Sequence, residues 1–149
     1  MMKNYRIAFE PWGLLLFLLT MVPNLIWSAV PALNDVLRGA SSTGALDAVA
    51  SVCQVLFAAA LCVVVNRERR SLRLTPLICS TVCCKALYAA GWCFYYLGFA
   101  GPAVILTLTV PPCLAFLFFA LDRRNFIAAV LVAVFTVCHL MHSVFNFLI

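Results

Sequence analysis

Most of the chain's chemistry sits in side chains that recur at helical spacing. Asp47, Ser51 and Gln54 form one set; Lys85, Tyr88 and Trp92 a second; His139, His142 and Asn146 a third. Steps of three or four residues place each set on one helix face. Thr20, Asn24 and Ser28 follow the same rule, and Asn24 comes directly after Pro23. Together they offer an ammonium, a carboxylate, two imidazoles, amides and aromatic rings. That is chemistry for holding a small ligand or passing protons. Asn24, Asp47, Gln54, Lys85, Tyr88, Trp92, His139 and His142 are the expected ligand-binding residues.

Each has a plainer reading beside the functional one. Lys85 lies deep in an apolar run, where an ammonium costs roughly 2.5–3.5 kcal/mol. It is an anchor for an anionic group, or it pairs with a backbone carbonyl, with Asp47 or with Asp35. Asp47 occupies a first helical turn, which suits a carboxylate through the helix dipole alone. His139 and His142 hydrogen-bond or exchange protons with a ligand, or they hold helices together. Two imidazoles do not fill a tetrahedral metal site, so no metal or other cofactor is expected. No nucleophile–base motif is present, and no catalytic residue is assigned. Trp92, Tyr95 and Tyr96 also suit an aromatic belt at a membrane boundary.

The elements that must position these groups follow from composition. Of 149 residues, 66% are hydrophobic and 10% charged, with a mean hydropathy of +1.09. So few charges cannot cover a water-exposed surface, which excludes a soluble enzyme and a disordered chain. The net charge of +5 is what membrane loops carry and does not point to nucleic acid. Apolar runs at about 12–33, 45–65, 76–97, 102–121 and 126–148 each match the roughly 20 residues a spanning helix needs. No alternating barrel pattern appears. The fold expected is an all-α integral membrane protein, a single five-transmembrane-helix antiparallel bundle whose short loops make sequential helices neighbours. The first run is longer than a signal peptide's apolar region and has no cleavage site after it, so it is expected to remain as a span. All eight cysteines fall in apolar runs without a CxxC, and read as small packing groups.

Lys3, Arg6, Arg67, Arg69, Arg70, Arg73, Arg123 and Arg124 fall on one side of such a bundle, against Arg38 on the other. The positive-inside rule then puts the N-terminus in the cytoplasm and the C-terminus outside, in the cytoplasmic (inner) cell membrane. The polar sets cluster between the midplane and the outer boundary, and polar groups facing lipid would lose their hydrogen bonds. They are expected to converge on a polar, aromatic-lined pocket open to the outside. Pro23 and Pro111–Pro112 interrupt the first and fourth runs near their middles, a pattern consistent with an inverted repeat in which the third helix connects two halves. The expected function is binding or transport of a small solute or lipid-like ligand, with membrane lipid as a further partner and a homo-oligomer to enlarge the enclosed volume. The alternatives are a membrane-embedded enzyme acting on a lipid or isoprenoid, and a structural or regulatory subunit.

Overall fold

The computed structural model describes residues 4–69 and 71–149, so Lys3 and Arg70 of the orientation count lie outside the described residues. Five helices are long and apolar enough to cross a membrane. They are α1 (Pro11–Ala29), α2 (Gly44–Val63), α3 (Pro76–Tyr96), α4 (Pro102–Asp122) and α5 (Phe126–Ser143), the last continued by a wide π turn at Val144–Leu148. Their outward faces are rich in exposed Leu, Val and Phe, as lipid allows and water does not. Multi-pass membrane character therefore rests on both sequence and structure.

The helix limits have local causes. Pro11, Pro76 and Pro102 open α1, α3 and α4, where a missing N–H costs nothing. α1 ends at Ala29, four residues before the limit read from hydropathy, because Pro31 forces Val30 into extended backbone. Gly98, at φ 91°, turns the chain between α3 and α4 in a conformation that favours glycine. Arg124 takes the same left-handed role after α4 at φ 52°, letting the Asn125 N–H reach back to the Ala120 carbonyl at 2.8 Å.

Two features differ from the sequence reading. β1 (Tyr5–Ile7) pairs antiparallel with β2 (Val64–Asn66), a two-stranded ribbon that hydropathy did not suggest. Short strands carry no periodic signal long enough to read. Sequential helices are also not always neighbours: α2 packs along α5, α3 along α4, and α4 against α5 joins the two pairs. The ribbon carries the chain over this end of the bundle before α3 begins. α1 leans on α2 and touches α3 and α4 only lightly. An inverted repeat relating α1–α2 to α4–α5 would pack the two pairs alike, whereas α4 packs far more extensively on α5 than α1 does on α2.

The ribbon end of the bundle, rich in arginine, is not a solvated loop surface. Glu10 is 4% exposed, and its Oε2 accepts from Arg123, which is 6% exposed, at 3.0 Å and also from Arg69. Asp122 accepts from the Thr75 hydroxyl, which caps α3. Asn125 caps α5 and donates to the carbonyls of Ala60 and Val64. Behind this polar layer lie Phe57, Phe116 and Phe135, with Phe57 in ring contact with the other two at 5.0 and 5.2 Å. The layer and the phenylalanine core close this end. The cysteines divide between roles: Cys53, Cys113 and Cys138 are buried as expected, whereas Cys79, Cys83 and Cys93 face outward.

Candidate ligand site

All five helices meet around two abutting chambers. The first, about 250 Å³, is walled by Asn24, Gln54, Phe57, Tyr88, Phe116 and His139 among others. The second, about 210 Å³, is nearer the opposite end and is walled by Asn24, Trp27, Tyr88, Trp92, His139 and His142 among others. Asn24, Tyr88, Leu108 and His139 line both, so the two chambers share a wall. Six of the eight expected residues are thus brought together.

Asn24 is fixed by its surroundings. Its Nδ2 donates to the Thr20 carbonyl at 2.8 Å and to the Tyr88 hydroxyl at 2.7 Å. Tyr88 donates in turn to the Thr20 carbonyl at 3.1 Å. These bonds tie the lightly packed α1 to α3. Gln54 and His139 make no hydrogen bond among the described residues, and His139 stacks between Phe135 at 5.1 Å and His142 at 6.3 Å. Trp92, 6% exposed, has a buried indole N–H without a partner among the described residues. Pro112 withdraws the helical N–H that the Leu108 carbonyl would accept, and both residues line the first chamber.

Lys85 and Asp47 line neither chamber; each stands one side chain behind the wall. Lys85 donates from Nζ to Thr20 Oγ1 at 2.7 Å and lies 4.5 Å from the Tyr88 ring centroid. A hydroxyl and a ring face partly replace the water that the ammonium gives up. It meets neither Asp47 nor Asp35. Asp47 instead accepts from Ser41, from Thr43 at 3.1 Å and from His142 Nδ1 at 2.6 Å. Asn146 completes this cluster, donating to Thr43 Oγ1 at 2.9 Å. The carboxylate therefore orients an imidazole that reaches the second chamber.

Asp35, in the α1–α2 connection, organises the same end. It accepts from Trp27 Nε1 at 2.8 Å, Arg38 Nε at 2.7 Å, the Tyr95 hydroxyl at 2.9 Å and the Ala32 N–H at 3.3 Å. Desolvation pushes its pKa up, but the bonds from Trp27, Arg38, Tyr95 and Ala32 together outweigh it and hold the carboxyl below its ordinary value. A depressed carboxyl stabilises the fold above the unfolded-state pKa, and that contribution is lost as pH falls through the lowered value. Acidification below about pH 4 is expected to free Trp27 and shift its fluorescence. The Asp35→Asn variant should lack this acid transition; an identical transition in both proteins would refute the assignment.

The sequence pattern did not identify Thr20 as the Lys85 partner, nor Trp27, Phe57, Phe116, Phe135 and Phe147 as wall residues. Phenylalanines toward a cavity and toward lipid look alike in a sequence. Trp27 carried a usable signal, standing three residues after Asn24 on the same face. No group of His, Cys, Asp and Glu among the described residues is arranged to hold a metal ion. The chain matches no protein-family model, no curated protein and no solved structure.

Proposed function

We propose that this chain is a membrane protein that binds a small solute or lipid-like ligand between its helices and carries it across the bilayer. The observation behind this reading is the pair of chambers with Gln54, His139 and the Trp92 indole on or behind the wall and uncommitted to protein partners. Polar groups in such a place lack their hydrogen bonds unless a ligand or water supplies them. Each chamber alone is smaller than the roughly 300–1,000 Å³ of common ligand sites, but joined they fall within it. Transport is supported by the light packing of α1, which lets one wall move while little apolar packing is broken.

In this reading the arginine-rich end faces the cytoplasm and the Asp35–Asp47 end faces outward, with the chambers reached from outside. The Glu10–Arg123 layer is then the cytoplasmic closure. The protein resides in the cytoplasmic membrane, and self-association would complete the wall that α1 covers thinly. The Asp47–His142 pair lends some support to the enzymatic alternative, with His142 as a general base. Against it, no Ser, Thr or Cys bonds to the free ring nitrogen among the described residues.

Purified protein in lipid nanodiscs, screened by thermal shift against small metabolites and lipids, tests the reading. A true ligand at 100 times its Kd raises stability by about 2.7 kcal/mol. The shift is expected to vanish on Gln54→Leu with His139→Leu, while the unliganded melting temperature changes little. A shift that survives both substitutions would place the ligand elsewhere.

A further inference from the structure

We infer that the second chamber takes a protonated primary amine on an apolar or aromatic body. This rests on the ligand-binding reading and specifies its substrate class.

The inference comes from counting hydrogen-bond capacity. The Thr20 carbonyl can only accept, so the Asn24 atom beside it is the NH₂ group, which is also bonded to Tyr88. The remaining polar atom of Asn24 is Oδ1, an acceptor. The Tyr88 hydroxyl has given its proton to Thr20 and accepts from Asn24, so it has no proton to offer. Asp47 can only accept, so the proton between it and His142 sits on Nδ1. Nε2 is the ring nitrogen left without a protein partner among the described residues. The second chamber thus presents Asn24 Oδ1 as a fixed acceptor with His142 Nε2 beside it, and the Trp92 indole N–H as an uncommitted donor, and calls for a ligand group that donates.

Charge and rings narrow the class. Among the described residues Asp47 has no Lys or Arg partner; its contacts are Ser41, Thr43 and His142. The other nearby charges are committed. Asp35 is paired with Arg38, and Lys85 is held by the Thr20 hydroxyl and the Tyr88 ring. A carboxylate whose sole ionisable partner is the imidazole on the wall favours a cationic donor over a neutral one. Trp27, Trp92, Tyr88 and Phe147 supply ring faces and apolar area for the rest of the molecule. The Trp27 ring already carries the Arg38 guanidinium 5.0 Å from its centroid, so it contributes apolar area, and the Trp92 ring is left for the cation.

Three probes of nearly equal shape separate the contributions: 4-fluorobenzylamine (charged, donating), 4-fluorobenzyl alcohol (neutral, donating) and 4-fluorobenzyltrimethylammonium (charged, not donating). Binding is read by ¹⁹F NMR titration of the full chain in nanodiscs, with empty nanodiscs subtracting partition into lipid. The amine is expected to saturate and to bind about tenfold or more tightly than either analogue. Asp47→Asn, which removes the charge, and His142→Phe, which keeps a ring but no acceptor, should each abolish that preference. If either variant fails to fold, the ranking of the three probes on the unsubstituted protein still decides. Tighter binding of the alcohol or of the quaternary ion overturns the amine assignment but leaves a ligand cavity in place. Saturable binding by none of the three also overturns it, and the metabolite screen above then judges the broader reading.

Discussion

Replacing Glu10 with alanine is expected to lower stability by about 3–5 kcal/mol, the range for breaking a buried ion pair by removing one partner. Glu10 and Arg123 have side chains 5% and 7% exposed, and their atoms meet at 3.0 Å. Alanine strips a buried guanidinium of this carboxylate and releases Arg69 as well. The loss falls where three segments are joined, since Glu10 precedes α1, Arg69 follows β2 and Arg123 follows α4. Thermal unfolding in detergent measures it, with Glu68→Ala as the comparison. Glu68 and Arg124 form a pair with side chains 60% and 42% exposed. Such pairs contribute about 0–1 kcal/mol. Equal melting temperatures for the two variants would show that the buried pair is not holding this end together.

That cluster marks where the sequence stops being readable. Hydropathy located all five helices, because a continuous apolar run of spanning length has few alternative structures. It also located the polar faces: Asn24, Gln54, Tyr88, Trp92, His139 and His142 were expected together and do line adjoining chambers. Residue type did not indicate depth behind the wall. Lys85 and Asp47 drew attention as the charges within spans, yet each meets the chamber wall only through a neighbour, Lys85 through Thr20 and Tyr88 and Asp47 through His142. A long or charged side chain reaches partners on other helices, and spacing along one helix does not say which. Arg123 and Glu10 read as ordinary flanking charges, since burial at a bundle end depends on how segments far apart in sequence cross. The β1–β2 ribbon and the α2–α5 pairing were hidden for the same reason.

Gly13 shows how a single position links that end to the chambers. A Cβ built there would lie 2.4 Å from the Leu61 carbonyl oxygen, a backbone atom that no rotamer change can move aside. The chain just before it is already fixed, because the Glu10 N–H donates to the Cys62 carbonyl at 2.8 Å and the Ala8 N–H to Val63 at 3.0 Å. α1 therefore cannot slide away from α2 without breaking those bonds. Gly13→Leu is expected to cost about 3 kcal/mol, the upper end for overpacking, even after the roughly 1 kcal/mol that leaving glycine returns in helix propensity. Gly44→Ala is the control: nothing lies within 4 Å of the added carbon, so its melting temperature should match or exceed that of the unsubstituted protein. The effect at Gly13 should also reach the ligand site. Forcing α1 outward draws Thr20 and Asn24 from Tyr88, since those bonds rather than extensive packing hold α1 to α3. Loss of both stability and 4-fluorobenzylamine binding in Gly13→Leu is the expected result. A variant that melts like Gly44→Ala would mean that α1 and α2 do not approach this closely.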